Sequence, residues 1–277
     1  MKKVVAAVIQ MDSQNQVEEN LRKAADLIGE AAKKGAKLVA LPETVNYIGD
    51  DPEDAAEDIP GGPSYCLFSE LARTYGIWLH AGSITEKRRE GLPCNTTMVF
   101  QPQGELVATY RKLHPFDVEI ENGPSVRESD RIFPGNQIVT VKTDVAGVLG
   151  LGICYDLRFC EQFRLMALEG AQVFILPADF TTHTGKDHWE VLLRARAIEN
   201  GCFVLAPGQI GRKPKYASYG RSMIVDPWGN VLAKAGDAQE VIMAELDFDY
   251  QRRIRQQLQT LENRRADLYR LEKKTRL

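Results

Sequence analysis

The chain has 277 residues, 44% hydrophobic and 26% charged, a mix that supports a sizeable core and excludes disorder. Formal net charge is -3 and the pI about 5.9, so no overall basic field points to nucleic acid. No run approaches the roughly 20 apolar residues of a membrane span. The five cysteines, Cys66, Cys94, Cys154, Cys160 and Cys202, are an odd set with no Cys-x-x-Cys pair. That argues against a disulfide framework or structural zinc and for a reducing, cytoplasmic location. His183 and His188 are five apart, which misses the i, i+4 spacing of a helical zinc motif, so no metal is expected.

Met1-Lys2-Lys3 imitates a secretion signal, but Gln10 and Asp12 break the apolar run, so 4–10 reads as a first strand. Helical spacing over 17–34, stopped by Gly35, and a buried strand over 38–41 ending at Pro42-Glu43 make an opening β-α-β unit. Residues 46–63 are acidic and turn-rich, a surface loop. Ser64 is placed to cap a helix running to about Tyr75, and strands follow over 78–85, 95–100 and 106–111. Strands over 138–142, 148–153, 173–176 and 203–206 are separated by helices over 158–169 and 187–200. Pro227-Trp228-Gly229-Asn230 turns a hairpin between 223–226 and 231–235. A strand over 241–246 precedes a basic, glutamine-rich helix and tail. Helices alternate with strands, yet hairpins are interleaved and no repeat or linker divides the chain, so 1–277 reads as one mixed α/β domain.

Three positions carry chemical potential. The run Gly150-Leu151-Gly152-Ile153-Cys154 ends an apolar strand just before a helical pattern, where a nucleophile on a tight turn is exposed and the next N–H can face an oxyanion. A thiol is mostly protonated at neutral pH and needs a base or a cation. Spacing leaves His80, His114, His183 and His188 open as partners, but Glu43, at a buried strand end where a carboxyl becomes a better base, is better placed. Lys112, after the strand over 106–111, is suited to meet negative charge on a tetrahedral intermediate. Taken singly, each has an ordinary reading: a packed cysteine, a solvated carboxylate and a surface lysine.

Together, Leu41-Pro42-Glu43, Tyr110-Arg111-Lys112-Leu113-His114 and Gly152-Ile153-Cys154-Tyr155-Asp156-Leu157-Arg158-Phe159 resemble, in order and spacing, the three motifs of the nitrilase superfamily of carbon–nitrogen hydrolases. The resemblance covers essentially the whole chain. It implies a four-layer α-β-β-α sandwich with mixed sheets, a Glu43-Lys112-Cys154 triad and Glu128 as an assisting glutamate. It also implies a substrate pocket including Tyr155, Phe180 and Thr181, and no cofactor. The segments 180–185, 188–197, 217–220, 225–229 and 264–269 look like the small-amidase branch, most similar to deaminated glutathione amidases, with omega-amidases next. The implied reaction is hydrolysis of the terminal amide of a small 2-oxo acid, with deaminated glutathione first and 2-oxoglutaramate second. In this scheme Glu43 takes the Cys154 proton, Lys112 and the Tyr155 N–H meet the oxyanion, and water hydrolyses the thioester. Nitriles or N-carbamoyl amino acids would use the same triad. Cys160 departs from the pattern, since proline commonly follows Arg-Phe, which affects helix entry more than chemistry.

Arg196 lies on the apolar stripe of the predicted helix with Trp189, Leu192, Leu193 and Ala197, and a buried guanidinium needs an anion. Glu199 is the ordinary partner; a substrate carboxylate is the functional one. Arg194 pairs more simply with Glu190 at i, i+4. The acidic loop over 50–58 reads as a solvated face, with a border of the pocket mouth as the alternative, since it follows Glu43. The basic tail lacks a stacking aromatic array, which argues against nucleic acid. The resemblance instead implies that 248–277 lies at a subunit interface, as in a homodimer. A binding or scaffold protein on the same fold is the reading from another class, and four intact site residues weigh against it.

Overall fold

The computed structural model describes residues 3–121 and 123–274; Met1, Lys2 and the end of the predicted tail, including Arg276, lie outside the described residues. The opening β-α-β unit forms as its pattern dictates. Strand Lys3–Gln10 pairs in parallel with Leu38–Ala40, and helix α1 (Val17–Lys33) crosses between them. Leu38–Ala40 pairs in parallel with Trp78–His80, which meets Cys94–Phe100 antiparallel. Glu240–Asp247 closes the other edge against Lys3–Gln10, and Leu106–Arg111 adds to Cys94–Phe100, giving a seven-stranded sheet.

The predicted strand over 78–85 is two strands, Trp78–His80 and Ile84–Glu86, both paired to Cys94–Phe100. The break falls at Gly82, whose φ is +63°; a Cβ there would lie 2.0 Å from the Pro42 carbonyl oxygen. Ser83 N–H donates to that carbonyl (3.2 Å) and Val45 N–H to Ser83 O (2.9 Å). The interruption thus clamps the turn that carries Glu43.

A second, six-stranded sheet runs in the order Val231–Lys234, Met223–Val225, Phe203–Ala206, Val173–Ile175, Val148–Leu151, Thr140–Lys142, its three central strands parallel. Inner faces of the two sheets share one core: Val4, Ala6, Val8, Leu38 and Ala40 with Leu149, Leu151, Val173 and Ile175. The outer face of the first sheet is covered by α1 and α2 (Pro63–Tyr75), through Leu21, Ala24, Ile28, Ala31, Phe68 and Ala72. Helices α3 (Cys160–Leu168) and α4 (Thr182–Asn200) cover the second sheet with Phe163, Met166, Trp189, Leu193 and Ala197. The layers are α, β, β, α. Each fully buried aliphatic side chain contributes about 1.5–3 kcal/mol to holding them together.

Several local expectations are corrected. Ser64 caps no helix: α2 starts at Pro63, and the buried Glu57 carboxylate accepts the Ser64 N–H (2.7 Å) and hydroxyl (2.6 Å) in the capping role. The helix expected over 158–169 forms as α3, Cys160–Leu168, and a 3-10 turn not expected from the sequence, Cys154–Arg158, precedes it. Helix α4 begins five residues early, across Thr-His-Thr-Gly, because Gly185 packs flush on Tyr219, where a Cβ would lie 2.4 Å from the ring. Two hairpins inside expected loops, Asp117–Glu119 with Ser125–Arg127 and Ile210–Arg212 with Ala217–Tyr219, are too short and polar to show a period. A final helix, α5, spans Phe248–Gln257. No helix among the described residues is long and apolar enough to cross a membrane.

Candidate active site

Parallel strands of both sheets deliver their C-terminal ends to one place, the usual position for a site in open α/β sheets. Glu43 follows Leu38–Ala40, Cys154 follows Val148–Leu151, and Asp179 follows Val173–Ile175. Lys112 follows the edge strand Leu106–Arg111, its N–H fixed to Asn95 O (2.9 Å).

The buried Glu43 carboxylate is fully engaged. Its Oε1 accepts from Lys112 Nζ (3.0 Å) and Asn95 Nδ2 (2.8 Å), and its Oε2 accepts from the Asp179 N–H (2.8 Å). Lys112 Nζ also donates to both oxygens of Glu128, at 3.0 and 2.8 Å. Burial alone would push the Lys112 ammonium down, but the charges of Glu128, Glu43 and Cys154 outweigh it and hold it well above its ordinary value. The opposite holds for Cys154: burial, then the charge of Glu43 and a hydrogen bond to it, push the thiol well up, opposed by Lys112 and the Asp179 N–H. The raised thiol favours the protonated form in the resting site, with Glu43 as the neighbouring carboxylate.

Backbone strain sits beside both groups. Cys154 and Thr44 each have a φ of +49°, a conformation costing about 1–3 kcal/mol in a residue other than glycine. For Cys154 the compensation is visible: its N–H bonds Pro177 O (2.8 Å), and the fully buried Asp156 holds the turn behind it. Asp156 Oδ2 accepts the Ile153 N–H (2.8 Å) and the Tyr110 hydroxyl (2.6 Å); Oδ1 accepts the His114 N–H (3.1 Å) and lies 2.7 Å from His114 Nδ1. One carboxylate therefore ties the cysteine turn to the segment carrying Lys112. The Tyr155 N–H lies in the first turn of a 3-10 helix, where N–H groups have no intrahelical acceptor and can serve an oxyanion.

A cavity of about 580 Å³ opens over Cys154. Glu43, Lys112, Glu128, Cys154, Tyr155, Phe180 and Thr181 all line it. Arg196 does not. Its guanidinium donates twice to Leu157 O (3.0 and 2.8 Å) and pairs with Glu199 at 2.7 Å, so its anion is a protein carboxylate rather than a substrate. Among the cations that line the cavity, Arg158 sits over the rings of Tyr155 (5.5 Å) and Phe180 (5.4 Å). Its Nη1 lies 3.2 Å from His188 Nδ1, and it forms no ion pair among the described residues. Sequence reasoning also missed Asn95 and the Asp179 N–H. The strand position of Asn95 carried only the signal of a polar residue in an apolar run, and a backbone N–H carries none. None of the four histidine candidates lines the cavity: His80 is buried against Thr97 Oγ1 (3.1 Å), and His114 stacks on Phe159. Among the described residues no cluster of His, Cys, Asp and Glu is arranged to hold a metal.

A thiol, a carboxylate and an ammonium are thus brought together at one sheet seam. The carbon-nitrogen hydrolase family model matches residues 5–256, and the chain belongs to that family, within the nitrilase superfamily. It acts on carbon–nitrogen bonds other than peptide bonds. It is 40% identical to deaminated glutathione amidase of Bos taurus, over 96% of this chain and 83% of the relative. It is 42% identical to an omega-amidase of Xenopus tropicalis, over 92% of this chain and 93% of the relative. The solved NitFhit protein of C. elegans superposes with a TM-score of 0.88 at 37% identity, covering 98% of this chain and 67% of that one.

Proposed function

We propose that the protein is an amidase that hydrolyses an amide of a small 2-oxo acid, deaminated glutathione first, through a thioester on Cys154. The observation that carries this reading is Arg158, a cation without a carboxylate partner among the described residues, which lines the cavity with Cys154, Glu43 and Lys112. A half-buried guanidinium between aromatic rings suits the planar carboxylate of a 2-oxo acid. Relatives named for deaminated glutathione and for omega-amidase activity, at 40% and 42% identity, support the same substrate class.

In this mechanism Glu43 takes the Cys154 proton as sulfur attacks the amide carbon. The oxyanion is met by Lys112 Nζ and the Tyr155 N–H. Collapse breaks the C–N bond, and Glu43 passes its proton to the departing nitrogen. That nitrogen leaves as cysteinylglycine from deaminated glutathione and as ammonia from 2-oxoglutaramate. Both substrates leave the same 2-oxoglutaryl thioester, which a water deprotonated by Glu43 hydrolyses to 2-oxoglutarate, restoring the thiol. Glu128 holds Lys112 in place throughout.

The direct test is 2-oxoglutarate release from both substrates by the wild type and by Cys154→Ala. A higher kcat/KM on deaminated glutathione, abolished in the variant, supports the reading. A preference for 2-oxoglutaramate moves the protein to omega-amidase, and silence on both overturns the 2-oxo acid assignment.

The same reading includes a cytoplasmic homodimer of one-domain subunits with the C-terminal segment in the contact. Free thiols at the exposed Cys66 and Cys160 support a reducing compartment. Exposed Val191 and Ile198 on α4, with Trp228 and Leu232 beside them, and Leu268 and Tyr269 in the tail, support apolar contact with a second copy.

A further inference from the structure

The cavity carries more positive charge than the reaction at Cys154 uses. Besides Lys112 and Arg158 it is lined by Arg127, Arg131 and Lys215. The first two flank Glu128 in the chain, and Lys215 lies on the loop between Ile210–Arg212 and Ala217–Tyr219. All three are exposed, at the outer end of the cavity, whereas Lys112 is buried and Arg158 half-buried. Their charges are incompletely answered. Arg131 Nη1 donates to the main-chain carbonyl of Asp50, and Lys215 Nζ is 3.9 Å from the Asp50 carboxylate. Arg127 forms no ion pair among the described residues; Asp117, which feels its charge, accepts the Ser129 N–H (3.0 Å). Asp50 thus answers Arg131 and Lys215 together, and Asp117, the register partner of Arg127, makes no ion pair with it. Apolar Phe116, Val126 and Ile132 also line the cavity.

From this arrangement we propose that Arg127, Arg131 and Lys215 form a subsite for a carboxylate carried by the leaving amine, so that the preferred substrates are amides that are anionic at both ends. The inference rests on the preceding assignment of Arg158 to the 2-oxo acid end. A cavity of about 580 Å³ accepts a ligand of drug-like size. A five-carbon amide anchored on Arg158 would leave its outer part unused, whereas a leaving group of two amino-acid residues fills it. Deaminated glutathione has the required second carboxylate, on its glycyl residue; 2-oxoglutaramate lacks it.

The experiment compares 2-oxoglutarate release from deaminated glutathione, from its glycinamide analogue, which removes only the distal charge, and from 2-oxoglutaramate. Wild type and an Arg127→Ala/Arg131→Ala/Lys215→Ala variant are assayed side by side. Three exposed ion contacts are together worth about tenfold. The wild type should therefore prefer the acid over the glycinamide by about that factor, chiefly in KM, and the preference should shrink as salt is raised. In the variant the preference should disappear. Equal use of acid and glycinamide by the wild type, or a preference that survives in the variant, overturns the subsite alone. No turnover of any of the three overturns the functional reading and the subsite with it.

Discussion

At the scale of the residue, the proposed nucleophile Cys154 is held toward its thiol form. Burial and the neighbouring Glu43 push Cys154 well up, so its reactivity depends on a base that touches it. Glu43→Gln keeps the shape and removes the base. Iodoacetamide alkylation of Cys154 at pH 7, followed by mass spectrometry, should slow in this variant, and turnover should fall about 10²–10⁴-fold; unchanged alkylation would mean that the thiol is activated elsewhere. Glu128→Gln removes one of the two carboxylates holding Lys112, at 2.8 and 3.0 Å, and should lower kcat about 10–100-fold with little change in KM. A loss confined to KM would instead make Glu128 a substrate contact. Glu43, Lys112 and Cys154 are proposed from the sequence because each follows a strand and stands in a motif resembling the nitrilase superfamily, and the three side chains line one cavity. Arg196 misleads because helical periodicity reports burial but not the neighbour, which turned out to be Glu199 at 2.7 Å. Arg158 is hidden because the 3-10 turn from Cys154 to Arg158, which aims it at the cavity, has no periodic pattern.

At the scale of the element, the decisive feature is the interruption between Trp78–His80 and Ile84–Glu86. Gly82→Ala puts a Cβ against the Pro42 carbonyl at a φ of +63°, so it should cost about 2–4 kcal/mol and displace Glu43. Urea titration should show a lower midpoint and the assay a larger loss than stability alone explains; a variant with normal activity would disconnect the clamp from the base. The strand beside it governs acid stability. Burial holds the His80 imidazole at about 3, far below its ordinary 6.5. The unfolded chain takes this proton near 6.5 and the folded chain only near 3. The stability is therefore complete above 6.5 and falls by up to about 1.4 kcal/mol per pH unit below it. His80→Asn should flatten the fall in urea midpoint between pH 6.5 and 4; an unchanged slope would place the acid lability in other groups. The long strands and α1 were legible from period and stop signals. The broken strand was not, because its cause is a contact with Pro42 about 40 positions away in the chain.

At the scale of the whole molecule, the proposed second copy is tested on the exposed apolar face of α4. Val191→Asp with Trp228→Lys should convert a dimer to a monomer in size-exclusion chromatography with light scattering; a wild-type monomer would remove the proposed homodimer outright. The four-layer order was readable from the resemblance and the mixed α/β class from the alternating elements, whereas which strand ends converge depends on pairings far apart in the chain. Glu43, Asn95 and Lys112 come from one sheet, and Cys154 and the Asp179 N–H from the other. The 2.8 Å contact from Asp179 to Glu43 is thus a ruler laid across the seam between two sheets. Turnover consequently gauges how the two halves of the core are docked, and modest hydrostatic pressure or dilute urea that lets them slip should silence the enzyme while its circular dichroism still reports a folded chain.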